Sequence, residues 1–199
     1  MVGQQMFPSL HIIKSICMTQ VSRKILLISG SARNVGKTSF MRRVIAQNAS
    51  HQLVAIKITP HFHEPTSGLT PIFVSENYRI YQETDASLGK DSSLFLQAGA
   101  QTVFYIQTTD AYLEEAFTRA TEQLLPEQPI LVESAILRTI LVPELYVFIQ
   151  KSYEEVKPSA VEMQKLADII VYSDSGQFSM DPTTITFDQK WNIPINDND

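Results

Sequence analysis

Short runs of apolar residues recur along the chain at intervals that suit an alternation of strands and helices. The first run, at 24–29, ends at Gly30 and has the pattern of a strand that is buried on both faces. We therefore predict that it is a central parallel strand. Similar runs predict further strands at Leu53–Ile58, Thr102–Gln107, Pro129–Glu133, Leu145–Gln150 and Asp168–Tyr172.

Amphipathic segments of helical length fill most of the intervals between these runs. They predict helices at Ser39–Gln47, Ser92–Ala98, Ala111–Leu125 and Ser159–Leu166. Strands that alternate with helices require right-handed crossovers and a parallel sheet covered on both sides. The pattern thus predicts the α/β class, as a three-layer fold with a mostly parallel central sheet.

Three segments depart from this alternation. Residues 59–88 form a connection far longer than the usual 2 to 6 residues. This connection is either a functional insertion or a surface excursion with its own hairpin, in which Ile72–Val74 pairs with Tyr78–Tyr81. Residues 1–22 are interpreted as a leader outside the core, with an edge strand or a short helix as the alternative. We predict one domain over 23–199, with a strand-like stretch at 184–187 and a frayed tail at 190–199.

Composition narrows the function classes. The 199-residue chain carries a net charge of −5, which argues against a general nucleic-acid binder, because such a protein needs a basic face. Its single cysteine, Cys17, cannot form an internal disulfide, and no apolar run approaches the roughly 18 residues of a membrane span. We expect a cytoplasmic protein with neither a nucleic-acid nor a membrane partner.

One segment between the first strand and the first helix has the pattern of a phosphate-binding loop. It reads Gly30-Ser31-Ala32-Arg33-Asn34-Val35-Gly36-Lys37-Thr38-Ser39. Gly36 lets the backbone approach phosphates, and the N–H groups of the loop and helix N-terminus supply positive potential. Lys37 would reach the outer phosphates and the Thr38 hydroxyl would bind Mg²⁺. We predict a P-loop NTPase fold that binds a purine nucleoside triphosphate, GTP or ATP, with Mg²⁺.

The first glycine of this loop departs from the usual G-x-x-x-x-G-K-[ST] spacing. Ser31 occupies its position, and Gly30 lies one residue earlier. The loop is therefore either one residue longer than usual or less dependent on glycine at its start. A degenerate loop that binds no nucleotide is the alternative, although the glycine, lysine and threonine that touch phosphate are present.

The loop resembles the variant of dethiobiotin synthetase and, more broadly, the SIMIBI class of P-loop proteins. Three later segments are similar to the MobB family, the GTP-binding adaptor proteins of molybdopterin-guanine dinucleotide biosynthesis. They are 54–63, where a strand ends in Lys57 before a His-bearing loop, 90–100, where Asp91 precedes a short helix and Ala-Gly-Ala, and 130–134, where a strand ends in Glu133. Ser134 stands where that family has glycine.

This resemblance implies roles for three charged residues. Glu133 would hold Mg²⁺ directly or through water, or else be a strand-ending carboxylate turned to solvent. Asp91 would be a second metal-binding or water-positioning carboxylate, or an ordinary helix N-cap. Lys57 would reach a γ-phosphate or an acidic substrate, or be a solvated lysine at the end of a strand. Lys37, Glu133 and Asp91 are therefore the candidate catalytic residues.

Asp174 is the candidate residue for base recognition. Guanine-specific P-loop proteins often carry Asn/Thr-Lys-x-Asp after a late strand, and the Val-Tyr-Ser-Asp-Ser segment at 171–175 offers the aspartate without the lysine. The same segment is also compatible with a plain turn. GTP is preferred to ATP mainly through the family resemblance.

The leading hypothesis is a MobB-like P-loop protein, a slow NTPase that acts as an adaptor or switch for a protein partner. One alternative is an ATP-dependent ligase or kinase of the dethiobiotin synthetase type, with Lys57 and residues 59–88 gripping a small acidic substrate. Another is a nucleotide-binding module without turnover. The resemblance also implies a homodimer.

Overall fold

A computed structural model describes residues 24–193 of the chain, and the interpretation of 1–22 as a leader lies outside the described residues. The described strands are β1 (Ile25–Gly30), β2 (Val54–Thr59), β3 (Leu69–Val74), β4 (Tyr78–Glu83), β5 (Thr102–Thr108), β6 (Ile130–Glu133), β7 (Leu145–Lys151), β8 (Ile169–Asp174), β9 (Gln177–Phe178), β10 (Thr186–Asp188) and β11 (Lys190–Asn192). The helices are α1 (Lys37–Gln47), α2 (Asp91–Gln97), α3 (Leu113–Thr121) and α4 (Pro158–Lys165).

Nine of the strands form one sheet in the order β3-β4-β5-β2-β6-β1-β7-β8-β9. The strands from β5 to β8 in this order are all parallel, and β1 lies between β6 and β7. The prediction of an α/β fold with a mostly parallel sheet and a central first strand is confirmed. Antiparallel strands occur only at the two edges of this described sheet, as β3 and β4 on one side and β9 on the other.

Helices cover both faces of the sheet because alternate residues of the central strands point to opposite sides. One core joins Leu26, Ile28 and their neighbours to Phe40 and Val44 of α1 and to Phe95 of α2. The other joins the opposite face of the same strands to α3, with α4 packed at its margin. No helix among the described residues is long and apolar enough to cross a membrane.

The long connection at 59–88 contains the predicted hairpin, but it is not a separate surface excursion. β3 and β4 pair antiparallel, and β4 also pairs antiparallel with β5, so the hairpin extends the main sheet. Ile80 is fully buried in this pairing. The hairpin's place in the sheet holds residues 60–66 beside the carboxyl end of β5, where Gln107 Nε2 donates to the His63 carbonyl at 2.9 Å.

Two predicted boundaries are wrong. The helix predicted at Ala111–Leu125 begins with a 3-10 turn and ends at Thr121, before Pro126, which disfavours helix in the residue that precedes it. The tail predicted to fray at 190–199 contains β11, which pairs with β10, and the rest of the predicted tail, 194–199, lies outside the described residues. Trp191 is 4% exposed and its indole N–H donates to the carbonyl of Lys24, so burial of this ring holds the segment on the core.

Candidate functional site

The predicted site residues lie along one edge of the sheet, where the parallel strands end. β1 ends at Gly30, β2 reaches Lys57 two residues before its end, and β6 ends at Glu133, which is in register with Lys57. From β1 the chain passes to β2 on one side, while β7 flanks β1 on the other. In open parallel sheets ligands bind outside the carboxyl ends of the strands at such a switch point.

Gly30 is needed where the loop leaves β1. The backbone N–H of Ser31 donates to the carbonyl of Ile149 in β7 at 2.9 Å. A Cβ atom on Gly30 would lie 2.6 Å from the same carbonyl oxygen, closer than packing allows. The close approach of β7 therefore requires glycine at 30, whereas the buried Ser31 side chain is accommodated at the position where the usual spacing has glycine.

Gly36 sets the turn from the loop into α1. Its φ of 94° lies in the left-handed region, and a Cβ atom there would lie 2.9 Å from the Phe178 ring. Gly36 is also the N-cap of the 11-residue helix α1, and no side chain caps that terminus. The first-turn N–H groups thus remain available to an anion at the end of the helix where the dipole is positive.

The side chains of the loop divide into core and surface groups. Val35 is 1% exposed and packs in the core, and its carbonyl accepts from the buried Ser173 hydroxyl of β8 at 2.8 Å. Arg33, Asn34 and Ser39 are exposed, and Ala32 is half-buried. The loop backbone is therefore held by the core and by β8, while its outer side chains face solvent.

Lys37 folds back over the loop. Its Nζ donates to the carbonyl of Ala32 at 2.7 Å. Burial lowers the pKa of Lys37, and the charge of Lys57 lowers it further, while Glu133 and Asp91 oppose the shift. An anion at the loop would relieve this unfavourable desolvation of the ammonium group, because it would supply the countercharge that the loop carbonyl lacks.

A lysine–carboxylate cluster, defined as Lys37, Lys57, Asp91 and Glu133, forms beside the loop. Lys57 Nζ lies 2.5 Å from Glu133 Oε1 and 2.6 Å from Asp91 Oδ2. The other oxygen of Glu133, Oε2, accepts from the Thr38 hydroxyl at 3.3 Å. Glu133 is 4% exposed, so it does not turn to solvent. The structure thus brings together the lysine of β2, both carboxylates and the threonine of the loop.

The lysine–carboxylate cluster is held by opposed charges. Burial alone would lower the pKa of Lys57, but the carboxylates of Glu133 and Asp91 outweigh burial and raise it, so the side chain stays an ammonium ion. Two lysines and two carboxylates leave the cluster with no net formal charge. The buried charge of Glu133 is tolerated because it is paired with Lys57.

Asp91 is positioned by the hairpin rather than by helix capping. α2 begins at Asp91 after Lys90, and no side chain caps it, so the N-cap interpretation of Asp91 is wrong. The next residue, Ser92, donates from its hydroxyl to Glu83 Oε2 at 2.7 Å. Glu83 is 2% exposed at the end of β4. The hairpin therefore fixes the start of α2, and with it the side chain that reaches Lys57.

Asp174 lies apart from the lysine–carboxylate cluster, on the opposite side of the loop. It is exposed at the end of β8 and accepts from the Ser175 hydroxyl at 3.0 Å. It lines a cleft of about 610 Å³ that we call the base cleft, because Asp174 is the candidate residue for base recognition. The loop forms one wall and the ends of β7 and β8 form the other, and the lining includes Asn34, Gly36, Lys151, Tyr153, Glu154 and Asp174.

Sequence reasoning missed the lysine of the base cleft. The motif places its lysine two residues before the aspartate, where this chain has Tyr172, but Lys151 at the end of β7 is in register with Ser173 and lines the same cleft. Its Nζ lies 2.5 Å from Glu154 Oε1. The Phe178 ring, which packs on Gly36 and lies 5.1 Å from the Phe40 ring, was missed as well. Only strand pairing reveals these neighbours, so no local signal marked them.

Comparisons of the chain with protein-family models, with curated proteins and with solved structures find no match.

Proposed function

We propose that the carboxyl edge of the sheet binds a purine nucleoside triphosphate with Mg²⁺. The observation that carries this proposal is the position of the Thr38 hydroxyl, 3.3 Å from a carboxylate oxygen of the buried Glu133. Both groups lie at the N-terminus of α1, beside the amine of Lys37. An anion-binding helix end next to hard oxygen ligands is the arrangement that a magnesium–polyphosphate needs.

The residues present suit the metal and the phosphates. Thr38, Glu133 and Asp91 offer hydroxyl and carboxylate oxygens, which Mg²⁺ prefers, and the metal would neutralise charge on the outer phosphates. The loop N–H groups and the Lys37 ammonium would hold the phosphates in place. Phosphoryl transfer depends mainly on such positioning and charge neutralisation.

Turnover without a partner should be slow. Both carboxylates that could orient a water molecule are engaged by Lys57 at 2.5 and 2.6 Å. A carboxylate engaged by an ammonium group, or by a metal ion that replaces it, is a poor acceptor for the proton or hydrogen bond of an attacking water. We therefore favour a MobB-like adaptor or switch, whose partner or nucleotide rearranges this contact.

The base cleft supports a purine ligand next to the loop. In it, Asp174 would accept hydrogen bonds from guanine's ring N–H and amino group. Tyr153, with 91% of its surface exposed at the margin, would be free to stack on the base. This arrangement favours GTP over ATP, as the resemblance implies.

A second candidate, an ATP-dependent ligase or kinase, is favoured by unpaired polar atoms near the carboxyl end of β5. Within residues 24–193, Gln107 Oε1, Arg79 Nε and Thr66 Oγ1 are buried without a hydrogen-bond partner. Arg79 and Gln107 are cross-strand neighbours beneath residues 61–63. Buried polar groups are rarely left unpaired, so a small polar substrate that forms hydrogen bonds with these atoms would explain why they lack a partner in the protein.

Titration calorimetry of the purified protein with GTP and ATP, each with and without Mg²⁺, tests the proposal. We expect binding that Mg²⁺ strengthens, and slow phosphate release from the bound nucleotide. Release that requires an added small acid would favour the second candidate. Absence of binding by either nucleotide in a folded protein would overturn the nucleotide site itself.

A further inference from the structure

The position of Lys57 bears on how a metal would enter the site. Its ammonium group lies between the carboxylates of Asp91 and Glu133, where a divalent cation would otherwise be bound. We propose that Lys57 holds this cation position in the free protein and thereby makes Mg²⁺ binding conditional on the triphosphate. This inference rests on the proposed function and assigns Lys57 as a positioning residue of that site.

Geometry supports a direct exchange between the ammonium and a metal. Lys57 Nζ engages one oxygen of each carboxylate, and Glu133 Oε2 is engaged by the Thr38 hydroxyl. Both oxygens of Glu133 are thus occupied by donors from this protein. Each carboxylate oxygen has a second lone pair, but Lys57 Nζ fills the position within reach of both carboxylates, so Lys57 must withdraw before one metal ion can bind Asp91 and Glu133 together.

The net charge of the site determines whether Lys57 withdraws for a metal ion alone or only for a metal ion with a triphosphate. The lysine–carboxylate cluster is formally neutral, because Lys37 and Lys57 balance Asp91 and Glu133. A divalent cation that enters alone adds two positive charges beside two ammonium groups in a partly buried site, where repulsion is weakly screened. A triphosphate that enters with the cation supplies the missing negative charge. The cluster therefore favours joint entry of metal and triphosphate over entry of the metal alone.

Lys57 has room to move toward an incoming phosphate. Its side chain is 17% exposed, and that of Asp91 is 44% exposed, so the Asp91 side of the contact opens to solvent. A lysine ammonium on a flexible four-carbon stem can change partners without moving the backbone. The oxygens of the terminal phosphate would be its new partners, which keeps the ammonium paired throughout the exchange.

Manganese titration in the absence of nucleotide, followed by electron paramagnetic resonance, tests this exchange. Lys57→Met removes the ammonium and keeps an apolar side chain of similar length. Lys24→Met is the matched control. Lys24 forms a 3.7 Å ion pair with Glu144, and both residues lie just before the amino ends of their strands, away from the cluster. We expect Lys57→Met to bind Mn²⁺ at least about tenfold more tightly than the wild type, because one like charge is removed beside the metal. Lys24→Met should match the wild type.

A second variant keeps the test decisive if Lys57→Met does not fold, since Glu133 would be left buried without its partner. Lys57→Gln retains a donor for one carboxylate and removes the charge, so it should also gain Mn²⁺ affinity in the absence of nucleotide. Equal Mn²⁺ affinity in the wild type and in folded Lys57→Met or Lys57→Gln would overturn the proposal. Nucleotide binding by the wild type is measured separately, so failure of the nucleotide site is distinguishable from failure of the exchange.

Discussion

The two sides of the loop at 30–38 differ in how firmly their polar groups are held. In the lysine–carboxylate cluster Glu133 is 4% exposed, and one lysine bridges carboxylates from two elements at 2.5 and 2.6 Å. In the base cleft Asp174 is exposed, the side chains of Lys151 and Glu154 are 42% and 52% exposed, and Tyr153 is 91% exposed. Both sides lie at the carboxyl edge of the same sheet.

Burial explains this difference and indicates how the two sides would serve a ligand. A buried charge must find a partner, so packing imposes the geometry of the lysine–carboxylate cluster before any ligand arrives. Exposed side chains keep their rotamer freedom and lose it only on binding, which costs affinity. We therefore expect the phosphate side to supply most of the binding energy and the base cleft to supply a modest selectivity.

Among the substitutions that test this difference, Lys37→Ala should have the largest effect on triphosphate affinity. The substitution removes the ammonium proposed to hold the phosphates, and a charged hydrogen bond is worth about 1.5 to 3 kcal/mol, so triphosphate affinity should fall by about 10- to 100-fold. Stability should change little, since burial already disfavours the charged amine. Titration calorimetry and thermal unfolding measure the two effects.

Lys165→Ala is the control for Lys37→Ala, because Lys165 forms an exposed ion pair with Glu162 on α4. It should bind nucleotide as the wild type does. Unchanged affinity in folded Lys37→Ala would remove the loop at 30–38 from the phosphate site.

Gly36→Ala and Gly176→Ala together compare the cost of alanine at two glycines that line the base cleft. At Gly36 alanine meets both a left-handed φ of 94° and the Phe178 ring at 2.9 Å, whereas Gly176 has a φ of 86° with nothing within 4 Å. Left-handed backbone costs a non-glycine residue about 1 to 2 kcal/mol, so Gly176→Ala should lose that amount and Gly36→Ala more. Chemical denaturation of both variants measures the difference, and equal losses would contradict a tight contact between Phe178 and the loop.

Glu133→Gln should loosen the coupling between nucleotide and metal. The amide keeps the shape of the side chain but loses the charge that attracts a divalent ion, so Mg²⁺ should strengthen nucleotide binding by about tenfold less than in the wild type. Nucleotide titrations at several Mg²⁺ concentrations measure this dependence. A variant with the wild-type dependence would show that Glu133 serves only Lys57 and Thr38.

Asp174→Asn should have the smallest effect, because the carboxylate is exposed and held only loosely. In the wild type, ATP would present an acceptor to the Asp174 carboxylate, whereas guanine presents donors. That mismatch is worth roughly 1 kcal/mol or more, which is several-fold in affinity.

Competition binding with GTP, ATP and xanthosine triphosphate on both proteins measures the preference. In the Asp174→Asn variant the preference for GTP should shrink, and xanthosine triphosphate should gain relative to GTP, since the amide can donate to xanthine's additional carbonyl. Equal binding of GTP and ATP by the wild type would remove Asp174 from base recognition and would strengthen the ligase or kinase alternative.

The sequence by itself determined the α/β class and the central position of β1. It also determined which charged residues lie near the ends of the parallel strands. A continuous apolar run such as 25–28 is removed from water only when both faces of the strand are buried. Helices between such strands cross over the sheet and lead to parallel pairing. Parallel pairing then places the ends of β1, β2 and β6 at one edge. Lys57 and Glu133 could therefore be expected near the loop from their positions alone.

Only the tertiary structure decided which of these groups touch and what surrounds them. Lys57 could have turned to solvent, and it does not because the buried Glu133 carboxylate needs a cation. The joining of the hairpin to β5 and the arrival of Lys151 beside Asp174 depend on strand pairings between distant segments. Local patterns carry no information on such pairings, since they are chosen by the packing of the whole sheet.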